Sequence, residues 1–380
     1  MNLGTLCEGD PRVAVKKCED ERNRRRRWIG GLAALIAAGL LLSWGAIDRH
    51  VRAARLLIGF QDAAGDAVPG IEADDTTLAG LRARVYRDSS GGPPVMLVHG
   101  VHAGGIDEPR FVHFAQLLVE AGFTVGTPEI EAMTDLVLDP ASASEVGDAA
   151  VAFGQRQGTS SVAIVGISFG GGLALIAAAE RPAAIHAVWA IGAPHDLTAL
   201  VAWWSGGDAR GPHGESVTAE PEAYGAEVLA YSFADDFFSA EDLELGRAVL
   251  GAHLRGDHEA SRTLRRGAPA SLEASLVAAG HPGARIRALG ERHRDVLLEL
   301  SPARRLAHVT ARVFLLHGLG DPVVASTETL HLARDLGGPE AVLLTGLLGH
   351  ADASPDPGWA EQWHLVHHAA GVLEGLSSGE

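Results

Sequence analysis

The chain has 380 residues, a formal net charge of −17 and a hydrophobic fraction of 47%. Length and apolar content suffice for one large packed domain or two smaller ones, which excludes a wholly disordered chain, and 47 glycines without a fixed period exclude collagen-like and repeat architectures. Cys7 and Cys18 both precede the first long apolar run, so the rest of the chain holds neither a disulfide framework nor a cysteine zinc module.

Residues 1–27 carry eight Lys/Arg against five Asp/Glu, whereas the remainder is net −20. An acidic body repels phosphate backbones, so no nucleic-acid partner is expected. From Trp28 to Ile47 the sequence WIGGLAALIAAGLLLSWGAI has no charge; at about 1.5 Å per residue it covers roughly 30 Å, the hydrocarbon thickness of a bilayer. Trp28 and Trp44 bracket it. Seven basic residues on its N-terminal side (Lys16, Lys17, Arg22 and Arg24 to Arg27) against three beyond it (Arg49, Arg52, Arg55) favour an N-terminus left in the cytoplasm. The expectation is a transmembrane signal anchor over 28–47, with the membrane as a partner and the catalytic part extracytoplasmic. Export after signal cleavage is the alternative, although no A-x-A site follows the apolar run.

Residues 48–75 read as a linker, Arg-rich at first and then rich in Gly, Ala and Asp with Pro69-Gly70. From Thr76 the pattern becomes α/β: an early strand over Thr76–Arg87, a buried strand over Pro94–Gly100, a helix over Phe111–Gly122 and a strand over Phe123–Ile130. A helix over Ser144–Gly158, a strand over Ser161–Ser168, a helix over Phe169–Pro182 and a strand over Ala184–Pro194 follow. The alternation pauses from about 195 to 306, a charged stretch with helical periodicity that is too long for a simple crossover and reads as an inserted helical cap. It resumes with Ala311–Gly318 and Ala341–His350 and closes on a helix over Glu361–Leu376. Strands alternating with helices imply a mostly parallel sheet covered on both faces, here in a domain over 76–380.

Chemistry concentrates at the ends of these strands. Gly166-Ile167-Ser168-Phe169-Gly170 is a G-x-S-x-G motif between a strand and a helix. Such a turn is so tight that the residues flanking the serine must lack bulk, and it presents the hydroxyl at a helix N-terminus, where the dipole favours negative charge. A serine hydroxyl needs a base, and the base an orienting acid. Asp321 follows one strand and His350 the next, giving the order Ser, Asp, His. Asp196, after the preceding strand, is the alternative acid. His364, His367 and His368 read as surface or packing residues, and no metal or cofactor is expected.

Over about Leu78 to Leu376 the chain resembles the α/β-hydrolase family. The residues that carry the resemblance are His99-Gly100, Gly166 to Gly170, His317-Gly318 with Asp321, and Gly349-His350. The resemblance implies a catalytic triad of Ser168, Asp321 and His350. The oxyanion of acyl transfer needs preorganised N–H donors: Phe169, just after the nucleophile, supplies one, and the loop after His99-Gly100 the other, with Val101 first and His102 second. That loop reads HGVHAGG and departs from the lipase-type HGGG pattern. His99 is expected to tie it down through its ring.

A serine nucleophile favours acyl transfer to water, so the expected activity is hydrolysis of a carboxylic ester or related small acyl compound through an acyl-enzyme. A peptidase or thioesterase of the same fold is an alternative; a catalytically silent fold used for binding is another. His102, Trp203 and Trp204 are the candidate substrate-binding residues; in the cap, Trp203 and Trp204 with the Phe233 to Phe238 stretch line an acyl pocket or, alternatively, pack the cap onto the sheet. Asp235 and Asp236 read as a solvated loop, with selection of a cationic group as the alternative.

Overall fold

A computed structural model of the chain describes residues 45–60, 68–217, 219–349 and 358–379. It divides into two compact units, Met1–Val51 and Arg52–Glu380. In the first, residues 45–51 are helical; the expected basic segment and most of the expected anchor (28–44) lie outside the described residues. Among the described residues no helix is long and apolar enough to cross a membrane.

The second unit opens with helix α1 (residues 52–60). Ala53 and Leu56 are buried, and the Gly59 carbonyl lies 3.0 Å from His113 Nε2. The expected linker over 48–75 therefore contains a packed helix, and the first strand already begins inside it. That strand, β1 (Glu72–Leu78), pairs antiparallel with β2 (Leu81–Arg87). The single early strand expected over Thr76–Arg87 is thus a hairpin. Its two-residue turn places Ala79 at φ 49° and Gly80 at φ 88°, the doubly positive pair that matches the right-handed twist of the flanking strands.

The remaining strands are β3 (Pro94–Val98), β4 (Thr124–Pro128), β5 (Val162–Ile167), β6 (Ile185–Ile191), β7 (Arg312–Gly318) and β8 (Ala341–Thr345). The sheet order is β1-β2-β4-β3-β5-β6-β7-β8, with β4 through β8 parallel and β1 and β2 antiparallel at one edge. Between them run α2 (Pro109–Glu120), α3 (Glu131–Thr134), α4 (Ala141–Gln157) and α5 (Phe169–Glu180). After β6 comes an all-helical insertion of α6 (Leu197–Trp204), α7 (Tyr224–Ser232), α8 (Ala234–Phe237), α9 (Leu243–Leu254), α10 (His258–Leu264), α11 (Ala270–Gly280), α12 (Ala284–Arg292) and α13 (Arg294–Glu299). This helical insertion falls within the 195–306 stretch and is called the cap below. Helices α14 (Thr327–Asp335) and α15 (Trp359–Ser377) complete the fold.

Strand side chains alternate between two cores. Val95, Leu97, Val165, Trp189, Phe314 and Leu316 pack with α1, α2 and α15. Met96, Val98, Ile164, Val188, Val313 and Leu315 pack with α4, α5 and the cap. The chain winds outward from β3 to β4 and then returns past β3 to β5, so the winding direction reverses between β3 and β5. Crevices outside the carboxyl ends of strands at such a reversal are where ligands bind in open α/β sheets. The loops after β3 and β5, which hold Val101 and Ser168, meet there.

Close backbone approach makes this junction intolerant of bulk. A Cβ on Gly166 would come within 2.6 Å of the Gly170 carbonyl oxygen, and one on Gly170 would overlap the His99 carbonyl. Because the obstacles are main chain, relaxation is costly. Gly170→Ala is expected to destabilise the fold by about 3 kcal/mol, at the upper end for overpacking, read as a lowered urea midpoint; an unchanged midpoint would mean that β3 and α5 are not in this contact.

Candidate active site

Ser168 is the residue between β5 and α5. Its backbone sits at φ 54°, ψ −129°, a region that costs a non-glycine residue about 1–3 kcal/mol and persists only when its surroundings over-determine it. The Ser168 N–H donates to the Ile191 carbonyl at 2.7 Å, and its carbonyl accepts from Gly171 N–H at 2.9 Å, so both sides of the turn are pinned. The serine remains partly accessible. Phe169, the first residue of α5, carries one of the N–H groups that have no intrahelical acceptor.

The loop after β3 lies against the serine. A Cβ on Gly100 would be 3.2 Å from Ser168 Cβ and 3.7 Å from its Oγ. His99 fixes this loop, as expected. Its Nδ1 lies 2.7 Å from the Gly100 carbonyl oxygen, and its Nε2 lies 3.2 Å from Ile130 N. A carbonyl can only accept and an amide N–H can only donate, so Nδ1 carries the proton and the ring is neutral. Burial pushes His99 down to about 4. Among the described residues neither Val101 N–H nor His102 N–H has an acceptor. His102 is exposed, and its Nδ1 accepts from Gly104 N–H at 3.0 Å.

Asp321 lies after β7 and is 1% exposed. Its Oδ1 accepts from the Val323 and Val324 N–H groups at 2.8 and 2.9 Å. Its Oδ2 is 3.3 Å from Nε2 of His317, which is fully buried and also lies 3.0 Å from the Val324 carbonyl oxygen. That carbonyl requires a proton on Nε2, which His317 donates to Val324 O, with the Asp321 carboxylate beside the ring. The segment leading to His350 packs beside this loop: Leu319 N–H donates to Thr345 O at 2.8 Å, and a Cβ on Gly318 would be 2.7 Å from the Gly349 carbonyl oxygen. His350 itself lies outside the described residues. The alternative acid, Asp196, caps α6 by accepting from Thr198 N–H and Oγ1–H at 2.8 and 2.7 Å.

Trp203 and Trp204 are buried. The Trp204 Nε1–H donates to Val323 O at 2.9 Å, two residues beyond Asp321, and its ring occupies the space a Cβ on Gly225 would take. This indole ties the cap to the Asp321 loop. Asp236 is engaged by Arg292 at 2.8 Å and His293 at 3.0 Å, and Asp235 lies 3.7 Å from Arg247.

Sequence reasoning assigned no role to three residues around the site. His317 was visible only as part of its motif. Glu328, in α14, accepts from the His195 and Asp196 N–H groups at 2.9 and 2.8 Å and fixes the loop after β6; burial pushes its carboxyl up to about 7 against the pull of these donors. The Tyr224 O–H, from the cap, donates to Val101 O at 2.7 Å. Nothing local marks these contacts, which join positions 123 or more residues apart for Tyr224 and Glu328.

The family described as X-Pro dipeptidyl-peptidase (S15 family) matches residues 137–352. No curated protein matches the chain. Among solved structures, the chain is similar to a meta-cleavage product hydrolase from Pseudomonas fluorescens IP01 (18% identity, 81% of this chain and 98% of that one, TM-score 0.42). It is similar also to 2-hydroxy-6-oxo-6-phenylhexa-2,4-dienoate hydrolase from Rhodococcus sp. strain RHA1 (20% identity, 78% and 99%, TM-score 0.42). A third is dipeptidyl peptidase 4 of Porphyromonas gingivalis (13% identity, 80% of this chain but 35% of that larger one, TM-score 0.47).

The depressed His99 has a consequence for stability. Unfolded, it titrates near 6.5; folded, near 4. Between these values the unfolded chain binds a proton that the folded chain does not, so stability present above the unfolded value is lost as pH falls. His99→Asn keeps a donor near the Nδ1 position and cannot titrate. Between pH 7 and pH 5 the wild type is expected to lose about 2 kcal/mol more than this variant in urea unfolding; equal losses would contradict a neutral buried ring.

Proposed function

The chain belongs to the X-Pro dipeptidyl-peptidase family (S15 family) and is an α/β-hydrolase enzyme, and from that premise we propose that it cleaves a carboxylic ester or related small acyl compound through an acyl-enzyme. Ser168 is the nucleophile, His350 the base and Asp321 the acid that orients it. The observation that carries the reading is the serine held at φ 54° on the N-terminus of α5, with the Gly100 backbone beside it.

In the proposed reaction the Ser168 oxygen attacks the substrate carbonyl carbon while His350 takes the hydroxyl proton. The resulting oxyanion is met by the N–H groups of Phe169 and Val101, with His102 the neighbouring donor, and by the positive end of α5. Collapse breaks the bond to the leaving group, which departs with the proton from His350. Water then attacks the acyl-enzyme with the same base, and the acid is released as Ser168 regains its proton. Asp321 holds the imidazole in the required tautomer and offsets its transient charge. Its own two backbone donors favour the ionised carboxylate.

The family match favours peptidase activity as a second reading. Against recognition of a free amino terminus by Asp235 or Asp236 stand the guanidinium groups of Arg247 and Arg292, which pair with them, and the His293 ring, which lies 3.0 Å from Asp236. Attachment through a signal anchor over 28–47, N-terminus in the cytoplasm, belongs to the same proposal, with export after cleavage as the alternative; it rests on the apolar run and its basic flank.

Rates on p-nitrophenyl esters of graded chain length, set beside an X-Pro p-nitroanilide, discriminate the readings. Ester turnover exceeding anilide turnover is expected, and the reverse order supports the peptidase. Ser168→Ala is expected to remove activity with the fold intact. Asp321→Asn is expected to lower kcat by roughly 10⁴-fold, the scale for loss of the orienting acid, with Asp196→Asn little changed; the opposite pattern would transfer the acid's role to Asp196.

A further inference from the structure

The cap segment before and at the start of α7 touches both loops of the proposed site. Glu222 N–H donates to Pro322 O at 2.8 Å, next to Asp321. Two residues on, the Tyr224 O–H donates to Val101 O at 2.7 Å. Trp204, packed against Gly225, reaches Val323 O at 2.9 Å. A short stretch of the cap thus bridges the loop after β3 and the loop after β7, on either side of the β5 end that carries Ser168.

The contact at Val101 acts on a peptide unit. The described peptide bonds are all trans, so in each unit the N–H points opposite to the carbonyl that precedes it. The Gly100 carbonyl belongs to the same unit as Val101 N–H, and His99 Nδ1–H holds it from the sheet side at 2.7 Å. The Val101 carbonyl belongs to the same unit as His102 N–H, and Tyr224 holds it from the cap side. Two consecutive peptide planes are therefore clamped by their oxygens, while neither N–H has an acceptor among the described residues. Without the Tyr224 hydroxyl the second plane can rotate, and a rotated plane brings a carbonyl oxygen toward the place where negative charge develops. Burial pushes the Tyr224 phenol up to about 12, so it remains a donor throughout the neutral range.

We infer that Tyr224 is a positioning residue for the oxyanion-stabilising loop: its hydroxyl fixes the Val101–His102 peptide, and it makes a competent site depend on the cap being seated. The inference rests on the serine-hydrolase reading above. It assigns the cap a part in transition-state stabilisation and leaves ground-state binding to other residues.

The test is Tyr224→Phe in the full chain, followed by the time course of labelling with a fluorophosphonate probe and by steady-state hydrolysis of a p-nitrophenyl ester. Wild type is expected to take one label per chain, at Ser168. The variant is expected to reach the same final labelling at a rate about tenfold lower, less than the 10²–10³ typical of deleting a donor itself. Its kcat should fall by a similar factor with KM within twofold, and the acid limb of its pH profile should not move. Labelling at the wild-type rate overturns the inference. So does a lower final labelling at an unchanged rate, because the folded fraction then works fully without the hydroxyl, and so does a loss confined to KM. Absence of label at Ser168 in the wild type is a different failure: it removes the serine-hydrolase reading, and this inference with it.

Discussion

The space between β3 and α5 admits backbone and nothing more, and the site is organised around that constraint. Gly170 lies against the His99 carbonyl, and Gly166 lies against Gly170 and Gly171. A strand that must become a helix within one residue, with no room to relax, leaves the residue between them at positive φ. Ser168 occupies that position at an energetic cost that two core layers offset. One consequence is geometric, since the hydroxyl is lifted off the sheet. Another is electrostatic, since it stands at the first turn of α5, where unsatisfied N–H groups collect.

Everything else in the neighbourhood holds loops in place around this turn. His99 pins the first loop from beneath with one tautomer, and Val323 and Val324 hold the Asp321 carboxylate. The cap reaches down to both through Trp204, Glu222 and Tyr224. The insertion after β6 is therefore joined to the sheet edge that carries Ser168 and Asp321 by directed hydrogen bonds as well as by apolar packing.

The sequence made the parallel layers legible because buried strands and amphipathic helices differ in period, and because Gly and Pro punctuate them. The placement of Ser168 and Asp321 just beyond strand ends was legible for a related reason: their motifs name a place relative to a strand end, and the strands are where the pattern put them. The hairpin at Ala79 was not, because alanine gives no sign of a positive φ. The helix over 52–60 was hidden by the same Ala and Arg content that suggested a linker. Trp203 and Trp204 announced apolar surface, but composition does not distinguish a pocket wall from a cap anchor. Tyr224 and Glu328 lay beyond reach, since each acts on a main-chain group more than a hundred residues away.

The proposed mechanism requires Ser168, Asp321 and His350 to meet at the carboxyl edge of the sheet. The decisive measurement is a crystal structure of the chain after reaction with a phosphonate ester. The expected adduct has a bond from Ser168 Oγ to phosphorus and a phosphonyl oxygen within hydrogen-bond distance of the Phe169 and Val101 N–H groups. The His350 imidazole is expected between Oγ and the Asp321 carboxylate. An adduct on another residue, or a His350 ring turned away with another base beside Ser168, would contradict it.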